Sequence, residues 1–104
     1  MFFATTITLP AGTNRLSDLL TGAKAGAAQT ISGLPATCVR LGMKAATANT
    51  APLFIGGSDV SASNGYELAA GTELLLQATT NNIGLPEIYL NGSGMTLSVF
   101  LGVY

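Results

Sequence analysis

The chain has no histidine, no tryptophan and one cysteine, and only 4 basic and 5 acidic residues among its 104. Each shortage removes a class of function. Without histidine the usual zinc and haem ligand sets cannot form, and a serine or cysteine nucleophile has no imidazole to activate it. Cys38, being alone, closes no internal disulfide. Nucleic acid is not an expected partner, because phosphate binding depends on clustered lysine and arginine. Here Arg15, Lys24, Arg40 and Lys44 are scattered and the net charge is −1.

Long apolar runs are missing as well. Mean hydropathy is high, at +0.48, yet Thr and Gly interrupt every stretch before it reaches the ~20 apolar residues of a spanning helix, so no membrane association is expected. The opening Met1-Phe2-Phe3-Ala4-Thr5-Thr6-Ile7-Thr8 carries no basic residue ahead of its apolar part. It does not read as a secretory signal, and the chain is expected to stay in the compartment where it is made. Its length suits one domain spanning residues 1–104, able to hold a core without metal or disulfide.

What the chain has is period-two alternation. In Met95 to Tyr104 the odd positions are aliphatic or Met, whereas the even positions are Thr, Ser, Phe, Gly and Tyr. This pattern reads as a strand with one core face and one mixed face. Residues 2–9 repeat it, with Phe3, Thr5, Ile7 and Leu9 on one side and Phe2, Ala4, Thr6 and Thr8 on the other. Further strands are expected near Thr37–Met43, Pro52–Ile55, Glu73–Ala78 and Glu87–Leu90.

Turn chemistry separates the strands. Gly56, Gly57 and Asp59, then Asn64 and Gly65, then Gly71, and finally Asn91 and Gly92 lie in segments rich in residues that tolerate positive φ. The last of them, Asn91-Gly92-Ser93-Gly94, reads as a four-residue hairpin loop. A short helix carrying Leu16, Leu19 and Leu20 is expected, capped by Thr13 or Asn14 and stopped by Gly22. Residues 22–35 are rich in Ala and Gly and fit a loop, a poor strand or an arm equally well. The expected fold is therefore all-β, a single antiparallel β-sandwich or jelly roll with one short N-terminal helix.

Candidate chemistry is sparse, and no enzymatic activity and no cofactor are expected. Lys24 and Lys44 read as solvated, Cys38 as a small half-buried strand residue, and Glu67, Glu73 and Glu87 as rim carboxylates without a sugar-stacking cleft. Asp59, Ser61 and Asn64 supply one carboxylate where calcium takes six to eight oxygens. Gly92-Ser93-Gly94 lacks the rest of a dinucleotide fingerprint, and Asn91-Gly92-Ser93 reads as turn chemistry rather than a glycosylation site.

A surface so poor in charge lacks the usual protection against association. Phe2, Phe100 and Tyr104 fall on the mixed faces of the two end strands and are the candidate interface residues. A strand buried on both faces inside a two-sheet sandwich explains them equally well. The strands at 73–78 and 95–104 also lack the lysine and proline that commonly protect sheet edges.

The run Ala51-Pro52-Leu53-Phe54-Ile55-Gly56-Gly57-Ser58-Asp59-Val60-Ser61, then Asn64-Gly65-Tyr66-Glu67-Leu68-Ala69-Ala70-Gly71-Thr72-Glu73, then Glu87-Ile88-Tyr89-Leu90 resembles a pattern in small structural proteins of tailed bacteriophages. The preceding Asn49-Thr50 fits it too. The resemblance covers residues 36–104 and implies a compact β-sandwich of the virion, typically a capsid decoration or cement protein. Such a protein is made in the host cytoplasm and bound on the capsid exterior to the major capsid protein, as a homo-oligomer such as a trimer. Residues 1–35 lie outside the pattern and suit an arm that grips the lattice or completes a trimer.

Three rival readings remain at this level. A neck, tail or head-fibre component fits the same pattern. A small carbohydrate-binding β module would use Tyr66, Tyr89 and Tyr104 as stacking platforms. A fragment of outer-membrane barrel is prompted by the alternating last strand, but the middle strands are short and no aromatic girdles are present.

Overall fold

The computed structural model describes residues 2–22, 34–78 and 83–102. Most of the ambiguous Ala/Gly-rich segment and Tyr104 lie outside them. The strands are β1 (Phe2–Thr8), β2 (Thr13–Arg15), β3 (Thr37–Cys38), β4 (Arg40–Ala45), β5 (Leu53–Gly56), β6 (Tyr66–Leu68), β7 (Glu73–Gln77), β8 (Ile83–Gly84), β9 (Tyr89–Asn91) and β10 (Thr96–Gly102). One α-helix, α1 (Leu16–Thr21), follows β2, and a 3-10 turn at Leu85–Glu87 precedes β9.

Two four-stranded sheets carry the fold, ordered β1-β10-β4-β7 and β2-β9-β5-β6, with β3-β8 as a small third sheet. Among the described residues every strand pairing is antiparallel. Among the eight strands of the large sheets, the first lies beside the last, the second beside the penultimate, and so inward to β5 beside β6. This nested order is that of a jelly roll, in which a long hairpin wraps round itself. The protein is thus an all-β antiparallel sandwich of the jelly-roll kind.

The period-two pattern is what fills the space between the sheets. Ile7 of β1, Leu97, Val99 and Leu101 of β10, and Leu41, Met43 and Ala45 of β4 point inward from the first sheet. Leu53, Ile55, Leu68 and Leu90 meet them from the second. Leu16, Leu19 and Leu20 of α1 are all buried in the same core, beside Leu85 of the 3-10 turn. A helix this short has little stability of its own, so burial of that leucine stripe holds it.

Several sequence expectations are corrected. The helix cap is not Thr13 or Asn14, which lie in β2; Arg15 precedes the helix without a side-chain cap bond, and Gly22 at φ 79° ends it as expected. Asn14 turns inward instead, and its Nδ2 donates to the carbonyls of Pro10 at 3.0 Å and Gly12 at 3.3 Å. The expected strand Thr37–Met43 divides at Val39. There the chain leaves the third sheet for the first, and the alternation shifts phase so that Cys38 and Leu41 are both buried. The strand expected at Glu87–Leu90 begins only at Tyr89, because Pro86 sits in the 3-10 turn.

The largest correction concerns residues 91–94. They form no hairpin, because β9 belongs to the second sheet and β10 to the first, so the segment is a corner between sheets. Asn91 is itself a strand residue, paired with Thr13 and Phe54. The turn glycines also serve two different needs. Gly71 and Gly94 adopt positive φ, whereas Gly65 and Gly92 do not. A Cβ at Gly65 would stand 2.6 Å from Val60 Cγ2, and one at Gly92 would stand 2.7 Å from Leu53 Cβ, so close approach is their requirement.

Asn49 closes the loop before β5 by imitating a strand. Its Oδ1 accepts the Thr96 N–H at 2.9 Å and its Nδ2 donates to the Thr96 carbonyl at 3.0 Å. Asn49→Ala removes both bonds; the Thr96 carbonyl keeps the Ala46 N–H at 3.0 Å, but the part-buried Thr96 N–H is left unpaired. The expected loss is about 1–2 kcal/mol in a urea titration, with an unchanged slope.

Candidate binding face

The outer face of the first sheet is built by register. Across its four strands, Ala4, Phe100, Gly42 and Leu75 stand side by side. The next row on one side is Phe2, Gly102, Arg40 and Gln77, and on the other Thr6, Ser98, Lys44 and Glu73. The central row is therefore wholly apolar, and the flanking rows carry their charges on the β4–β7 side, at Arg40, Lys44 and Glu73.

Small residues shape this face. Phe2 stands opposite Gly102, and a Cβ at Gly102 would lie 3.2 Å from the Phe2 ring. The missing side chain lets the ring tilt toward Phe100 in the neighbouring strand. The two rings stack with centroids 5.1 Å apart and 27° between planes. Phe2 is nevertheless 60% exposed and Phe100 41% exposed. Beside them a shallow open groove runs over Ala4, Thr6, Gly42, Lys44, Ser98 and Phe100.

Of the expected interface residues, Phe2 and Phe100 are thus brought together, facing outward rather than into a second sheet. Leu75 was not anticipated, although it is 60% exposed and completes the apolar row. A signal for it exists in Glu73-Leu74-Leu75-Leu76-Gln77: if Leu74 and Leu76 pack inward, the leucine between them must face out.

The expected exposed edge at 95–104 is also corrected. β10 is an interior strand, flanked by β1 and β4, and the outer strands of this sheet are β1 and β7.

The turn residues lie elsewhere. Gly56 ends β5 of the second sheet, and Gly57, Asp59, Asn64 and Gly65 belong to its connection to β6. In it the Asp59 carboxylate accepts from Asn64 Nδ2 at 3.1 Å, and Ser61 and Asn64 exchange backbone hydrogen bonds. Among the described residues no three metal-ligating side chains converge. Gly71 turns the chain into β7 against Thr47, and Asn91 Nδ2 lies 3.3 Å from Thr13 Oγ1.

The tyrosines do not share a surface. Tyr66 pairs with Ile55 and Tyr89 with Gly56, consecutive residues of β5, so the register assigns them to opposite faces of the second sheet. The Tyr89 hydroxyl accepts from Arg15 Nε at 3.0 Å and Nη2 at 2.7 Å, and the guanidinium lies 5.4 Å from the ring centroid. That hydrogen bond raises the Arg15 pKa. Glu67 and Glu87 are exposed and stand on separate elements.

Cys38 is buried, and desolvation pushes its thiol above the ordinary range. The folded state therefore holds the thiol proton to a higher pH than the unfolded chain does. Below the ordinary thiol pKa this contribution to stability is fully present, and it declines as pH rises toward the raised value. Urea midpoints measured from neutral to alkaline pH are expected to fall more steeply for the unaltered chain than for Cys38→Ala. The same burial predicts that a thiol reagent labels Cys38 only as fast as the protein opens.

No family model, no curated protein and no solved structure matches this chain. Among the described residues, no helix is long and apolar enough to cross a membrane.

Proposed function

We propose that the protein is a non-catalytic structural subunit of a virion, a capsid decoration or cement protein that docks on the major capsid protein through the outer face of its first sheet. The observation that carries this reading is the exposed apolar row, with Phe2 stacked on Phe100 and Leu75 in line beyond Gly42. Solvent-facing aromatic and aliphatic side chains gathered on one flat sheet are typical of a surface made to be covered. The resemblance of residues 36–104 to phage structural proteins supplies the kind of partner, and jelly rolls are a common architecture of capsid and lectin domains alike.

The mechanism is passive. Covering this face adds buried apolar area at a subunit junction, worth roughly 2.5 kcal/mol per hundred Å² before ordering costs. Repetition over a symmetric shell multiplies a weak contact into a large stabilisation. Because the central row carries no charge, the contact is expected to be only weakly sensitive to salt.

The test is quantitative protein analysis of purified particles. A copy number matching a repeated position on the capsid lattice supports decoration. A few copies per particle would assign the chain to a neck, tail or head fibre instead, and complete absence would end the virion reading. A carbohydrate-binding role finds less support, since Tyr66 and Tyr89 do not form one platform.

A further inference from the structure

We propose that β7 is a self-association edge, across which two copies of this chain pair about a two-fold axis at Leu75 and join their first sheets into one. The backbone groups of β7 point to two different sides. Ala78 N–H donates to the Val39 carbonyl at 2.8 Å, and Ala45 N–H donates to the Thr72 carbonyl at 2.9 Å. In an antiparallel ladder, alternate residues turn their N–H and C=O to the same neighbour. Even-numbered residues of β7 thus bond to β4, and Glu73, Leu75 and Gln77 turn theirs to the other side. Among the described residues no strand occupies that side.

A second copy fits this edge by its own pattern. With Leu75 opposite Leu75, Glu73 falls opposite Gln77, and all three residues with free outward groups meet as hydrogen-bonded pairs. On the outer face the two exposed leucines cover each other, and on the inner face the half-buried Leu74 meets Leu76 of the other copy. Charge agrees with this register. Glu73 stands between Lys44 of its own sheet and an uncharged Gln77, whereas a two-fold axis moved to Glu73 would set Glu73 against Glu73. Odd slips would set outward-bonding residues against ones already bonded to β4.

The opposite edge fits less well. On β1, Leu9 N–H donates to Met95, so the residues turned outward are Phe2, Ala4, Thr6 and Thr8. A two-fold about Thr5 would pair Phe2 with Thr8 and Ala4 with Thr6, so no two large apolar side chains would meet. Of these two edges, β7 brings its exposed apolar residue onto itself with the whole strand paired. The two-fold leaves both outer faces on the same side of the joined sheet, and it holds whether or not that face docks on a capsid.

Sedimentation velocity of the full chain, from micromolar to near-millimolar concentration, is expected to show a monomer–dimer equilibrium. Leu75→Lys places two like charges on the axis and should weaken the dimer roughly tenfold or more, whereas Thr8→Lys on β1 should leave it unchanged. Because Leu75 is exposed, circular dichroism of Leu75→Lys should match the unaltered chain. Hydrogen exchange on the unaltered chain is a second readout, with the Glu73, Leu75 and Gln77 amides expected to gain protection as concentration rises. A monomer throughout the range, a trimer, a dimer broken by Thr8→Lys but not by Leu75→Lys, or exchange at those amides independent of concentration would each overturn the proposal.

Discussion

If the outer face docks on a capsid as proposed, a Phe100→Asp chain is expected to keep its fold and to lose roughly thirty-fold or more in association with the particle, since truncating a central aromatic anchor typically costs 2 kcal/mol or more. Phe100 stands in the apolar row between Ala4 and Gly42 and carries the stacked ring of Phe2. A carboxylate there would be desolvated by any partner covering the face, with no cation in its own row to pair it. The cost to folding should stay near 1 kcal/mol, because the side chain is already 41% exposed and the inward residues Val99 and Leu101 are untouched.

The measurement is co-sedimentation of purified protein with particles that lack it, alongside a thermal melt of each variant. Tyr66→Ala, on the other sheet, should bind as the unaltered chain does. Full binding by a folded Phe100→Asp chain would show that the partner uses another surface. Loss with Tyr66→Ala instead would move the interface to the second sheet and revive a ligand-binding reading.

The second large effect concerns the fold. Gly92→Ala is expected to cost about 3 kcal/mol or more, and Gly92→Val enough to leave little folded protein, given a typical margin of 5–15 kcal/mol. The new Cβ would meet Leu53 Cβ at 2.7 Å and Leu53 Cα at 3.1 Å. Leu53 is completely buried in β5, so the obstacle is packed backbone rather than a flexible side-chain end. Relief requires the corner from β9 to β10 to lift away from β5, and that corner passes the chain from one sheet to the other.

Gly94 makes the internal comparison. It lies two residues further on at φ 79° with nothing near its absent Cβ. Gly94→Ala should therefore cost only the conformational penalty of a left-handed alanine, about 1 kcal/mol. Urea titration of the two variants side by side separates crowding from backbone strain. Equal losses would mean that the corner relaxes around Gly92 and that the close approach carries little weight.

How much was legible depended on distance along the chain. Inward and outward faces of β1 and β10 followed from alternation alone, because side-chain direction in a strand is local. The stop of α1 at Gly22 was local as well, since a left-handed C-cap favours glycine wherever it occurs. The start of α1 is not set locally, because Thr13 and Asn14 have another demand on them. Register with Asn91 and Leu90 draws them into β2, and no property of the tripeptide reveals its partner.

The glycines show the same divide. Asn91-Gly92-Ser93-Gly94 has every mark of a hairpin loop, and turn chemistry cannot tell a hairpin from a corner between sheets. That distinction lies in which strands β9 and β10 pair with, and their partners are β2 and β5 for the one, β1 and β4 for the other. Val39 is similar: its neighbours alternate well enough for one strand, and only the change of sheet breaks the phase.

The scarcity of charge, the absence of histidine and the period-two pattern were enough to determine an all-β chain with an under-protected surface, because composition and side-chain alternation are properties of the chain alone. Which apolar residues meet on that surface was decided by register. Phe2 and Phe100 are 98 positions apart in sequence number, as their numbering shows, and they stack because β1 and β10 run antiparallel and Gly102 leaves room between them. Leu75 joins them only because β4 separates β10 from β7 with Gly42 in the intervening place. Nothing local in any of these segments specifies the others, since antiparallel order and register arise when the whole jelly roll closes on its core.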